Sequence, residues 1–173
     1  MALTNSTIWE VRTAGDDTNG GGFVSGASGT DYSQQDAKNT VGDNISTTDA
    51  VTAASTTVTS ATANFTSAIV GNVFYMSGGT GPLTAAWYRA VTFVNSTTIT
   101  VDRNPGVSTG VTMNIGGALL RIQQLITNVN VADMTGYVKA GTYNLTTALD
   151  TTGSPAVVEY HMRIIGYSTT RGD

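Results

Sequence analysis

Cysteine is absent from this 173-residue chain. Disulfide frameworks, thiolate zinc sites and cysteine nucleophiles are excluded together, so the fold must be held by packing or by other chains. Histidine occurs once, at His161, which forbids a histidine-cluster metal site within one chain. Charge is scarce as well: 12% of the residues are Asp, Glu, Lys or Arg, about half the ordinary share. With only Lys38 and Lys139 as lysines, scattered arginines and a net charge of −4, no basic stripe can neutralise a run of phosphates, and nucleic acid is not an expected partner. No stretch approaches the ~20 apolar residues that cross a bilayer. The opening MALTNSTIWE lacks a basic region followed by an apolar one. The expectation is a soluble chain with no membrane partner and no export signal.

Threonine, serine, asparagine and 20 glycines take up the room left by the missing charges. That composition is turn-rich and β-branched. It argues against a coiled coil, a highly charged disordered chain and a large helical bundle, and predicts a mainly β fold. The length allows one domain or two small ones.

Three segments follow from the patterning. In residues 1–48, Ile8 to Val11 read as one strand anchored by Trp9, after which Thr13 to Thr48 hold only Phe23, Val24, Tyr32, Val41 and Ile45 as large apolar side chains. Such a stretch cannot offset its own conformational entropy by internal burial. It is expected to be an extended docking arm, ordered by lying on the rest of the chain, a sister subunit or a larger assembly. Its candidate interface residues are Trp9, Phe23, Tyr32, Val41 and Ile45.

Residues 49–116 predict a small antiparallel β-module, with strands over 56–60, 73–77, 85–94, 97–101 and 111–115 separated by Gly, Pro and Asn turns. Strict alternation puts Trp87, Arg89, Val91 and Phe93 on one face of the central strand and Tyr88, Ala90, Thr92 and Val94 on the other. Asn95-Ser96 then returns the chain as a hairpin. Residues 117–173 change period: Leu119, Ile122, Leu125 and Ile126 predict a short helix. Tyr137–Lys139, Thr142–Leu145 and Arg163–Ile165 follow as brief strands joined by polar corners, as in a solenoid coil.

The helix, the string GYVKAGTYNL and the MRIIGYST step, in that order, resemble the start of a right-handed parallel β-helix of the pectate-lyase-like superfamily. Upstream, TIWEVRTAGDDTNGGGF, GTDYSQQDAKN and STTVTSATANFT…VGN resemble N-terminal parts of β-helical proteins of tailed bacteriophages. The resemblance implies a capping helix over 117–173 leading into the first coil. One coil cannot cover its own apolar face, so further coils, or other subunits around a symmetry axis, are expected to complete it. It also implies a structural virion protein: an oligomeric capsid decoration, cement or head-fibre protein anchored by its N-terminal region. The expected partners are copies of itself, as a homotrimer, and a major capsid or tail and baseplate protein. The alternative it implies is the N-terminal region of a tail fibre or tail spike, with depolymerase chemistry on later coils.

Catalytic motifs are missing, and neither a catalytic residue nor a cofactor is expected. Asp16-Asp17-Thr18-Asn19-Gly20-Gly21-Gly22 partly matches the start of a calcium loop, with Asp17 and Asn19 as candidate ligands, but Ser28 stands where the distal Glu belongs. The competing reading is a flexible turn. No Gly-x-Ser-x-Gly elbow accompanies His161, which reads as a strand histidine. Glu10 and Glu159 are the only glutamates, and no motif links them into an acid pair. The Asn-x-Ser/Thr sequons at Asn5, Asn44, Asn64, Asn95 and Asn144 read as composition rather than glycosylation. The aromatics read as core rather than as a sugar platform.

Overall fold

A computed structural model describes residues 3–128, 134–145, 148–149 and 163–173. Its strands are β1 (Thr7–Val11), β2 (Gly22–Val24), β3 (Thr47–Thr52), β4 (Thr57–Thr59), β5 (Val73–Gly78), β6 (Ala86–Asn95), β7 (Thr98–Val101) and β8 (Ser108–Ile115), followed by helix α1 (Ile122–Asn128), β9 (Thr135–Lys139) and β10 (Arg163–Tyr167). Strands β3 to β8 close into an antiparallel barrel in the ring order β3-β4-β7-β6-β5-β8. The remaining strands form a second sheet, β10-β9-β1-β2.

Alternation along each barrel strand sends one face inward. Ala50, Val58, Phe74, Met76, Tyr88, Ala90, Ile99, Val101, Val111, Met113 and Ile115 fill the lumen, with Phe65 and Ile69 plugging it from the segment between β4 and β5. The barrel is thus a packed core and encloses no channel. Closure requires the sheet to coil, and register shifts in β3 and β6, which stand opposite each other in the ring, supply the bends. β6 carries two shifts, between Ala90 and Thr92 and between Phe93 and Asn95. The first returns Phe93 to the inner side, against the barrel core, and so breaks the expected grouping of Phe93 with Trp87.

A second core lies between the barrel's outer surface and the small sheet. Trp9, Val11, Leu119, Leu125 and Met134 pack there with Val73 of the barrel, and Trp87 joins from β6. The Trp87 indole donates to the Asn19 carbonyl at 2.9 Å and lies against Tyr75, with ring centroids 4.6 Å apart.

Two fold expectations are revised here. The first is the extended N-terminal docking arm, which of its three expected supports takes the rest of its own chain. β1 is a central strand, between β9 and β2, and residues 12–46 are laid along the barrel by backbone hydrogen bonds: Gly20 and Gly21 donate to the carbonyls of Gly116 and Gly117, Gly117 and Ala118 to those of Tyr32 and Gln35, and Asn39 to that of Ile115. Glycine makes the approach possible, since a Cβ at Gly20 would collide with the Val73 carbonyl. Backbone pairing, rather than apolar burial, orders this segment.

The second correction is the β-helix. β9 and β10 do run parallel, but β9 has β1 as its other neighbour and β1 is paired on its far side with antiparallel β2. The strands therefore complete a four-stranded sheet docked on a barrel, and among the described residues no right-handed parallel β-helix is formed. The helix read as a solenoid cap instead covers this sheet, with Leu125 seated over Gly136, where a Cβ would collide with it. Thr142–Leu145, read as a strand, is irregular.

Candidate functional site

The five candidate interface residues do not share one surface. Trp9 is wholly buried in the second core. Phe23 is buried beside Gly71. Half-buried Tyr32 donates its N–H to the Asn72 side chain at 3.0 Å and accepts from Gly117 at 2.9 Å. Half-buried Ile45 donates to the Ala63 carbonyl at 3.0 Å. Val41 alone stands in solvent, 87% exposed.

Asp17 and Asn19 do not converge on a common point either. Asp17 Oδ1 accepts from the Leu120 and Arg121 N–H groups at 3.0 and 2.9 Å, and its other oxygen pairs with the Arg121 guanidinium. It therefore caps α1 from a distant loop, satisfying N–H groups that a helix start leaves free. The Asn19 amide instead donates to the carbonyls of Ala118 and Asp36, at 2.9 and 3.1 Å. Among the described residues no group of three or more acidic or histidine side chains is placed to hold a metal ion. His161 and Glu159 lie outside the described residues.

Buried asparagines continue this pattern. Asn72 accepts from Tyr32 and donates to the carbonyls of Thr30, Ala68 and Ile69. Asn44 accepts from the Thr66 N–H and donates to its hydroxyl. Asn114 donates to the Thr18 carbonyl and accepts from Lys38 at 2.8 Å. Each fastens the segment that precedes β3 to the barrel.

The polar centre that sequence reasoning missed is Glu10. Trp9 and Val11 point into the second core, so alternation turns Glu10 to the opposite face of the sheet. There residues 31–36 and Arg171 cover it completely, leaving it 0% exposed. Its Oε1 accepts from Arg12 Nε at 2.8 Å and from the Tyr167 hydroxyl, while Oε2 accepts from Arg171 Nε at 2.8 Å. Arg171 also reaches Asp31 at 2.9 Å and the Ser33 hydroxyl at 3.1 Å, and its guanidinium lies 4.6 Å from the centre of the Tyr137 ring. Arg12 extends the cluster to Asp36 at 3.4 Å.

Two chain segments, β1 and residues 167–171, thus meet at one carboxylate, and residues 31–36 are tied to it through Arg12 and Arg171. Burial, with Glu10 accepting its proton, pushes the Tyr167 hydroxyl up to about 12, and burial together with the same carboxylate raises Tyr143. With Arg171 Nη2 also 2.7 Å from Oε2, four donors of its own chain surround the Glu10 carboxylate, so the arrangement holds geometry rather than presenting an acid or base to a ligand. An acidic residue between Trp9 and Val11 was the available signal, because a charge inside an otherwise apolar central strand requires a partner.

Comparison with models of known families, with curated proteins and with solved structures finds no match.

Proposed function

We propose that this chain is a structural protein of a tailed-phage virion, of the capsid decoration, cement or head-fibre kind. It works as an oligomer, with a homotrimer the state that the sequence resemblance implies, and contributes shape and adhesion rather than a catalytic step. One observation supports this reading above others: the chemistry-bearing side chains are spent on holding loops. Glu10 gathers Arg12, Arg171 and Tyr167. Asp17 caps α1, Asp31 ties Ser33 to Arg171, and Asp49 ties the Ser60 hydroxyl and the Ala61 and Thr62 N–H groups to β3. Asp102 fixes Arg89 and Arg103. The barrel around them is filled by its own side chains.

A rigid, filled, charge-poor module suits a role in which area and shape are recognised. The virion setting rests on the resemblance of TIWEVRTAGDDTNGGGF and GTDYSQQDAKN to phage sequences. The test is the mass of the purified chain at micromolar concentration, paired with incubation on bacterial surface glycan. A multiple of the chain mass and no release of reducing ends are expected. A stable monomer, or release of reducing ends, would overturn the reading.

A further inference from the structure

Charge is distributed very unevenly along this chain. Between Ala50 and Leu120 the only charged residues are Arg89, Asp102 and Arg103, and they meet at one corner of the barrel. Asp102 accepts from the Arg89 N–H and from Arg103, each at 2.9 Å, while Arg103 donates to the Trp87 carbonyl at 2.6 Å and lies 4.1 Å over the Tyr88 ring. The one other charge in the barrel strands is Asp49 of β3, whose carboxylate is taken up by the Ser60 hydroxyl and the Ala61 and Thr62 N–H groups.

The ring order locates the bare side. Residues 12–46 lie against β5 and β8, through Asn72, Asn114 and Ile115. Strands β4 and β7 stand opposite those two. With Val58, Ile99 and Val101 turned inward, alternation leaves threonines outward, and the register aligns them in rows. Thr92 pairs with Thr100 and Thr100 with Thr57; Asn95 pairs with Thr98, Thr98 with Thr59 and Thr59 with Val51. Val91 and Val94, 42% and 53% exposed, border them on β6. The surface is one of methyl, hydroxyl and amide groups. An ordinary soluble surface carries roughly a quarter to a third charged residues, and depletion of charge is the compositional mark of an interface centre.

We propose that this face, formed by β4, β7 and the second half of β6, is where one copy of the chain packs on another, lining the symmetry axis of the oligomer. The proposal deepens the assembly reading above and rests on it. Electrostatics selects a second copy as the occupant. The chain is net −4, and residues outside Ala50–Leu120 hold the acidic excess, so two copies meeting through other faces bring like charges together. Through this face they meet with none. Strand addition is not the mode, because these strands belong to a closed ring with no free edge, and contact is therefore made side chain to side chain.

The experiment is sedimentation of the full chain and three variants over a range of micromolar concentrations, each checked for folding by near-ultraviolet circular dichroism. Thr100→Glu and Val94→Asp place a charge on the proposed face, and like charges across an interface are expected to weaken self-association about a hundredfold or more. Val41→Glu places one on the exposed side chain of residues 12–46 and is expected to leave the assembled mass unchanged. If Thr100→Glu fails to fold, Val94→Asp, near the end of β6, carries the test. Folded charge variants that keep the assembled mass would overturn the face and leave the assembly reading standing. A wild-type chain that sediments as a monomer would overturn both.

Discussion

The barrel and the sheet docked on it are built by different means within one short chain. The barrel holds fourteen buried apolar side chains in one cluster, with charge confined to the corner of Arg89, Asp102 and Arg103 and to Asp49 of β3. The sheet region places a carboxylate and two guanidinium groups where a core would be, and the segment that precedes β3 is fastened by asparagine amides and glycine contacts. The difference follows from composition. Where β-branched and aromatic residues alternate, burial stabilises the strands directly. Where threonine, aspartate and glycine dominate, the backbone must find partners one by one, and buried amides and carboxylates supply them.

The comparison breaks most sharply in the barrel. Phe74 is fully buried in its lumen, and Phe74→Ala is expected to cost about 4 kcal/mol. The loss, read from urea unfolding, should be the same at low and high salt. Glu10→Gln comes next. It removes the buried counter-charge that Arg12 and Arg171 share, their side chains only 13% and 11% exposed, and leaves them Asp36 and Asp31 alone, at a cost of about 3 kcal/mol.

Removing the acceptor that caps α1 has a smaller effect. Asp17→Ala is expected to cost about 1 kcal/mol and to lower helical circular dichroism.

Acid and alkali sharpen the contrast. Burial pushes the Asp49 carboxyl up, but hydrogen bonds from Ser60, Thr47 and Thr62 together outweigh it and bring it to about 2. Its folded value lies below its unfolded one, so its contribution is present above roughly pH 4 and is lost as the pH falls through about 2. Asp49→Asn is expected to lower the urea midpoint at neutral pH, by about 1 kcal/mol after solvent screening, and to have no effect in strong acid. Tyr167 behaves in the opposite sense. Its folded value is raised to about 12, so its contribution is full below roughly pH 10 and is lost as the pH rises from there through about 12. Burial raises Tyr88 and Tyr143 as well, and tyrosinate absorbance should lose the component near pH 12 when Tyr167 is replaced by Phe.

Much of the barrel is legible in the sequence. The strands expected at 56–60, 73–77, 85–94, 97–101 and 111–115 fall on β4, β5, β6, β7 and β8 within a few residues, because alternating β-branched residues between Gly, Pro and Asn turns carry a strong local signal. β3 is not legible. Thr47–Thr52 straddles the expected boundary between the arm, ending at 48, and the β-module, starting at 49, with no strand expected there, yet it closes the ring between β4 and β8, and closure is a long-range fact. The same holds for Glu10. A local pattern shows an odd charge beside Trp9, but not that Arg171 lies over it. The β-helix expectation failed for a related reason: strings such as GYVKAGTYNL specify strand and corner, not the neighbour that the strand takes, and here that neighbour is β1.

The claim that the two regions are held by different forces is tested most directly by amide hydrogen exchange, residue by residue, on wild type and Glu10→Gln. The account predicts that protection falls in β1, β9 and β10 while β5 and β8 exchange as in wild type. Equal loss of protection in the barrel strands, or none in β1, would contradict it.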